Sequence, residues 1–205
     1  RDEAERLSIP DLLTRVRQGW GMPDLQEMYD HRADFFIVDQ GDVLGPLTSR
    51  LYRFLLPAGA PGLKATLVFS DPPGNTASSV ARINDLSLKV TSPTVNAGQQ
   101  VFYWGNNGLS AQQTSLDAGV SDRKNTVENV FVSAPAPGLW TVEVFGDEIV
   151  QDSRRSTTQL DADFALVVRA TGLTTVCAAD FDASGQVDGL DLTAYIDAYQ
   201  AGTTD

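Results

Sequence analysis

The sequence predicts an all-β fold, a jelly roll or β-sandwich, with a short helical segment before it and a loop–helix unit after it. Two observations carry the β prediction. From about residue 35, apolar residues recur at every second position in short runs, and clusters rich in glycine and proline separate those runs. A third observation, twelve residues near the C-terminus with oxygen-bearing side chains at fixed intervals, sets the last unit apart.

Residues 1–34 read as helical. Ser8 and Pro10 start a helix whose apolar stripe is Leu12, Leu13 and Val16, and Gly19-Trp20-Gly21 stops it. Met22-Pro23-Asp24 opens a second short helix carrying Leu25 and Met28. Residues 35–170 hold about eight strands. Tyr52, Phe54 and Leu56 alternate with Arg53 and Leu55, and Leu86, Leu88 and Val90 with Ser87, Lys89 and Thr91. Trp140, Val142 and Val144 alternate with Thr141 and Glu143, and Phe164, Leu166 and Val168 with Ala165 and Val167. Turn clusters such as Pro57-Ala-Gly-Ala-Pro-Gly62, Asp71-Pro-Pro-Gly-Asn75 and Pro135-Ala-Pro-Gly138 lie between the runs. One-sided alternation means that each sheet buries one face, as in two antiparallel sheets packed together. Residues 171–179 read as a linker, and residues 180–205 as the terminal unit.

That unit begins Asp180-Phe-Asp-Ala-Ser-Gly-Gln-Val-Asp-Gly-Leu-Asp191. Side-chain oxygens stand at loop positions 1, 3, 5, 9 and 12, on Asp180, Asp182, Ser184, Asp188 and Asp191. Gly185 occupies position 6, and Gln186 at position 7 offers a backbone carbonyl. This is the spacing by which a loop wraps Ca²⁺, since a hard cation needs several oxygens converging on one point. Four carboxylates so close together repel one another until a cation offsets their charge. Leu192, Tyr195, Ile196 and Tyr199 then form the apolar stripe of an exiting helix.

The 205 residues carry a net charge of −12, which excludes a phosphate-neutralising nucleic-acid surface and adhesion to anionic membranes. No apolar run approaches the roughly 18 residues of a membrane-spanning helix. The single cysteine, Cys177, has no partner for an internal disulfide. The chain starts at Arg1 without a signal peptide and reads as a mature piece or fragment. Weak acidic calcium loops fit the calcium-rich space outside cells, so a secreted or cell-surface location is expected.

The C-terminal unit resembles the calcium repeat of dockerins, with Asp at position 12, apolar residues at positions 2 and 8, and only an exiting helix. Dockerins carry two such repeats and meet cohesins partly through loop positions 10 and 11; here one copy is present, with Gly189 and Leu190 there. The β region resembles a different family. Leu63-Lys-Ala-Thr-Leu-Val-Phe-Ser-Asp-Pro-Pro-Gly74, Ile83-Asn-Asp-Leu-Ser-Leu88, Asn125-Thr-Val-Glu-Asn-Val130 and Pro137-Gly-Leu-Trp-Thr-Val-Glu-Val144 follow in order. This series is similar to the C-terminal, proprotein-convertase-P-domain-like jelly roll of subtilisin-like serine proteases. Gln18-Gly-Trp-Gly-Met-Pro-Asp-Leu25 is similar to the segment that closes their catalytic domain, so residues 1–34 would be its remnant. The resemblance implies a non-catalytic, calcium-stabilised domain of a secreted subtilase that stabilises or regulates the protease and helps present substrate or bind a surface. Its partners would be the subtilase catalytic domain and a cell-surface or scaffold protein.

The family's nucleophile motif, glycine-threonine-serine-methionine-alanine, is absent, as are its histidine and aspartate segments. The one histidine, His31, has Asp30 and Asp34 nearby to orient it but no serine in a Gly-rich nucleophile turn. The chain is therefore expected not to be an enzyme, although its parent would be a serine endopeptidase. Two clusters in the β region could hold structural calcium. One is Asp71 with Asp85; the other is Asp122, Asn125 and Glu128, where Glu128 lies beside Val127 and Val130. Ordinary turns are the competing explanation, because Asp and Asn side chains bond the local backbone. Phe102-Tyr-Trp104 with Asn106 and Asn107 could form a sugar-stacking platform, but alternation places Phe102 and Trp104 in the core. The rival to the protease reading is a carbohydrate- or protein-binding jelly roll with a dockerin-like docking tail.

Overall fold

The structure, a computed structural model, describes residues 19–74, 82–93, 100–154, 156–177 and 189–200, without the side chains at 198 and 199. The first expected helix and all the expected calcium-loop ligands except Asp191 lie outside these segments.

A short helix, α1 (Leu25–Asp30), begins where Asp24 accepts a hydrogen bond from the Glu27 amide at 3.0 Å, an N-cap that the sequence makes legible. A 3₁₀ turn (Arg32–Asp34) follows. Nine strands come next among the described residues: β1 (Phe35–Leu44), β2 (Ser49–Leu56), β3 (Gly62–Phe69), β4 (Asp85–Thr91), β5 (Phe102–Trp104), β6 (Val127–Ser133), β7 (Gly138–Glu148), β8 (Ala162–Ala170) and β9 (Thr174–Val176). Helix α2 (Gly189–Gln200) ends the described chain.

The strands form two antiparallel sheets, ordered β1-β8-β3-β6 and β5-β4-β7-β2-β9. The all-β sandwich expected from the alternation is therefore present. Its core is the set of inward rows: Ala65, Leu67 and Phe69 on β3, Phe164, Leu166 and Val168 on β8, Leu86, Leu88 and Val90 on β4, and Trp140, Val142 and Val144 on β7. Each Val, Leu or Phe side chain among them, once removed from water, contributes about 1.5–3 kcal/mol. Trp140 satisfies its buried indole N–H by donating to the Ala136 carbonyl at 2.8 Å.

Two expectations need correction. The supposed linker contains β9, which pairs with Arg53–Leu55 of β2, so the sandwich continues to Val176. The aromatic triplet faces the opposite way from the expected one. Tyr103 pairs with inward-facing Val90 and stacks with Trp140, whereas Trp104 and Phe102 pair with Lys89 and Thr91 on the outer face. The Lys89 ammonium lies 5.1 Å from the Phe102 ring and 5.5 Å from the Trp104 ring. Alternation shows which residues share a face; the partner strand decides which face is inside.

On α2, Leu192, Tyr195 and Ile196 retain substantial exposure, while Asp191 is 4 % exposed. None of the described helices is long and apolar enough to cross a membrane.

Candidate functional site

The polar residues that the sequence singles out gather at one end of the sandwich, where β4 leaves its loop and β6 begins. Pairing between β4 and β7 slips there: Leu86 faces Gly146, but Asp85 faces Glu148, leaving Asp147 as the extra residue of a bulge. The bulge lets Asp147 accept a hydrogen bond from the Ser87 hydroxyl at 2.6 Å. Three carboxylates thus converge on the start of β4.

Asp85 and Glu128 are completely buried. Glu128 reaches from β6 to the facing sheet, where one oxygen, Oε2, accepts from the Leu88 amide at 2.8 Å; its Oε1 has no hydrogen-bond partner. Burial pushes its pKa up to about 9; the Leu88 bond opposes this, and the charges of Asp122, Asp85 and Asp147 add to it. Neither oxygen of Asp85 accepts a hydrogen bond. The Arg82 guanidinium lies 3.2 Å from Oδ2, close enough for attraction but out of hydrogen-bond alignment, and Arg123 stands at 3.9 Å. Burial raises the Asp85 pKa, Arg82 opposes the rise, and Asp147 adds to it. Gly105 makes room for this arrangement: a Cβ there would stand 2.1 Å from Glu128 Oε2.

The other candidates serve as clamps. Asp71 accepts from the Ile83 and Asn84 amides at 2.8 and 2.7 Å, fastening the segment just before Asp85. Asp122 accepts from the side chains of Asn106 and Asn125, at 2.7 and 2.6 Å, and from the Lys124 and Asn125 amides. Burial alone would raise its pKa, but these four donors outweigh burial and leave it lowered. Asn106, at a left-handed φ of 61°, also donates to the Val127 carbonyl and accepts from the Asn129 amide, so one side chain ties the 122–125 turn to β6. The geometry therefore brings Asp85 and Glu128 toward one region and assigns Asp71, Asp122 and Asn125 to holding loops. Arg82 and Asp147 were not singled out as site residues, Asn106 was weighed only as part of a sugar platform, and Asp147 becomes visible only through the bulge.

A cleft of ≈ 490 Å³ opens beside this end, lined by Trp20, Asn106, Leu109, Ser110, Asp122, Asn125, Thr126 and Val127. Among the described residues, no three His, Cys, Asp or Glu side chains form a metal-holding group. A calcium site also draws on backbone carbonyls, amide oxygens and water, so two buried carboxylates can form its charged part. The unpartnered Asp85 Oδ1 and Glu128 Oε1 suit that role. His31 is engaged by Asp34, whose Oδ2 lies 3.0 Å from Nδ1, with Glu27 at 3.8 Å from Nε2. Asp30 instead accepts from Gln26.

Fold and site together define a class, a two-sheet antiparallel β-sandwich with a buried carboxylate pair at one end. No family model matches the chain, and no curated protein matches it.

Proposed function

We propose that the chain is the non-catalytic, calcium-stabilised β domain of a secreted subtilisin-like serine protease, ending in a dockerin-like calcium repeat. The domain would stabilise or regulate the protease and aid substrate or surface binding, with the subtilase catalytic domain as its first partner and a scaffold or cell-surface protein as a second. The observation that supports this most is the pair Asp85 and Glu128: both are fully buried, and each has an oxygen that no protein donor reaches. A buried carboxylate left without a partner is costly, and a divalent cation reverses that cost. Asp85 and Glu128 would hold the ion, with Arg82 tempering the charge of Asp85 and Asp71 and Asp122 keeping the flanking loops in place. In the terminal repeat, Asp180, Asp182, Ser184, Gln186, Asp188 and Asp191 would bind a second ion.

Calorimetric titration with CaCl₂ tests this reading. Wild type should show two classes of site, with the loop in the range of about 10⁻⁴–10⁻³ M. Asp85→Asn with Glu128→Gln should remove one class, and Asp180→Ala with Asp191→Ala the other. At a hundredfold excess over Kd, each ion should stabilise its unit by about 2.7 kcal/mol. Unchanged stoichiometry in both double variants would refute the calcium assignment.

A second reading, a carbohydrate-binding module, is favoured by the outward-facing Phe102 and Trp104. It predicts that wild type is retained on an insoluble polysaccharide and that Trp104→Ala is not. Equal elution of the two would dismiss it.

A further inference from the structure

We infer that Asn107 is a site of spontaneous deamidation, and that its conversion to an acid unlatches the 115–119 loop from the edge of β5. The reaction favours an asparagine followed by glycine, and of the chain's seven asparagines only Asn107 precedes one. With no Cβ on the following residue, the backbone nitrogen of Gly108 approaches the Asn107 side chain unhindered. That nitrogen donates no hydrogen bond among the described residues, whereas the amides on either side of it, Asn107 and Leu109, donate to the Trp104 and Asn106 carbonyls. The Gly108 nitrogen attacks Cγ of Asn107 and a C–N bond forms. Its proton passes through water to Nδ2, which leaves as ammonia, and a five-membered imide remains. Water then opens the ring at either carbonyl, giving aspartate, or isoaspartate with the main chain running through Cγ. Water is the only co-reactant.

The fold keeps this labile pair because it uses both members. Nδ2 of Asn107 donates to the carbonyls of Leu116, Asp117 and Ala118, at 2.9, 3.4 and 3.3 Å. Three acceptors in a row require a nitrogen there, not an oxygen. Gly108 stands at a left-handed φ of 81°, and a Cβ on it would lie 2.7 Å from Leu116 Cγ. Gly119 packs against the same amide, since a Cβ on it would lie 2.7 Å from Nδ2. The loop so held covers β5: the Ala118 amide donates to the Phe102 carbonyl at 2.8 Å, and Ala118 bridges to Tyr103. Closing the imide makes Cγ tetrahedral and pulls Nδ2 out of line with its three acceptors, so the latched side chain reacts more slowly than a free one. Once formed, a carboxylate turns oxygen toward three carbonyl oxygens, with no proton to share and a charge to bury. The loop then has nothing to close on, and the change runs one way. The inference depends on neither calcium nor the protease reading, so it can be tested in chelator.

The test ages the full chain in mildly alkaline buffer with EDTA, folded and in urea, and maps it by chromatography with mass spectrometry. Peptides carrying asparagine, aspartate and isoaspartate separate on the column. Asn107 should convert in both samples ahead of the other asparagines, and more slowly in the folded chain. Hydrogen exchange on the aged, folded protein should show the Leu116 and Ala118 amides of the converted fraction exchanging at least about tenfold faster. Asn107→Asp should reproduce that exchange without ageing; if this variant fails to fold, the aged wild type carries the same measurement. Ser115→Ala removes the hydroxyl that accepts from the Phe131 amide at 3.0 Å. By loosening the loop, it should speed conversion of Asn107 in the folded chain by about fivefold. Any of four results would overturn the proposal: no preference for Asn107 over the other asparagines, an intact Asn107 in the folded chain after the urea sample has converted, equal rates in the two samples, or unchanged exchange at Leu116 and Ala118 after conversion.

Discussion

Replacing Glu128 with glutamine should weaken the chain's dependence on pH. Glu128 is completely buried, one oxygen accepts a single amide hydrogen bond, the other has no partner, and three carboxylates lie within electrostatic reach. Its pKa is raised from 4.5 to about 9, so the folded state holds the proton more tightly than the unfolded state. A displacement of that size corresponds to about 6 kcal/mol. The sign follows directly: the contribution is fully present below about pH 4.5 and is lost as pH rises toward 9, by at most about 1.4 kcal/mol per pH unit. For a chain of this size, 1 kcal/mol moves Tm by about 3 °C, so wild type in EDTA should lose about 4 °C per unit between pH 5 and 8. Glu128→Gln keeps the shape and the acceptor for Leu88 but has no charge to bury. Its new amide donors lack an acceptor, which costs about 1–3 kcal/mol at every pH. The variant should therefore melt below wild type at pH 5 and above it at pH 8. Calcium should flatten the wild-type profile by favouring the ionised carboxylate and should do little to the variant. Asp85, whose pKa is also raised, is common to both proteins, so their difference isolates Glu128. Scanning calorimetry from pH 5 to 8, with and without EDTA, makes the measurement. Parallel profiles in EDTA would refute the reasoning.

Gly105→Ala should destabilise the sandwich by about 1–3 kcal/mol, because its Cβ would overlap Glu128 Oε2. Pairing it with Glu128→Ala should recover part of that loss in a double-mutant cycle read by urea unfolding, and simple additivity would count against the contact. Arg82→Ala should cost about 3–5 kcal/mol in EDTA, since it strips a buried Asp85 of its nearest cation. Added calcium should restore part of this loss, and a change under 0.5 kcal/mol by the same method would show that the pair contributes little.

Much of the sandwich was legible because its rule is local. The rows Leu86, Leu88, Val90 and Trp140, Val142, Val144 alternate without interruption, and both are buried. The Asp24 cap was legible for the same reason, since it acts three residues away. Long-range choices were not. Three residues, Phe102–Trp104, offer two aromatics to one face and one to the other, and only pairing with β4 puts Tyr103 inside. Glu128 stood out as a carboxylate among valines, yet its partner Leu88 lies forty positions away on the other sheet. The grouping of Asp71 with Asp85 failed to anticipate that Asp71 would be spent on two backbone amides. Asp147 carries no local signal at all, because a bulge is a property of two strands.

The strand order also bears on how this polypeptide is made. Among the described strands β1 pairs with β8 alone, and β2 finds its longer partner in β7, so both early strands wait until most of the chain has been synthesised. At about 5–20 residues per second, the interval between completing β1 and starting β8 is on the order of ten seconds, long compared with hydrophobic collapse. Throughout it, Phe35, Phe36, Ile37 and Val38 have no sheet to join. The surplus of acidic side chains is then useful before any site exists, because mutual repulsion between nascent chains keeps their open strands from pairing with one another.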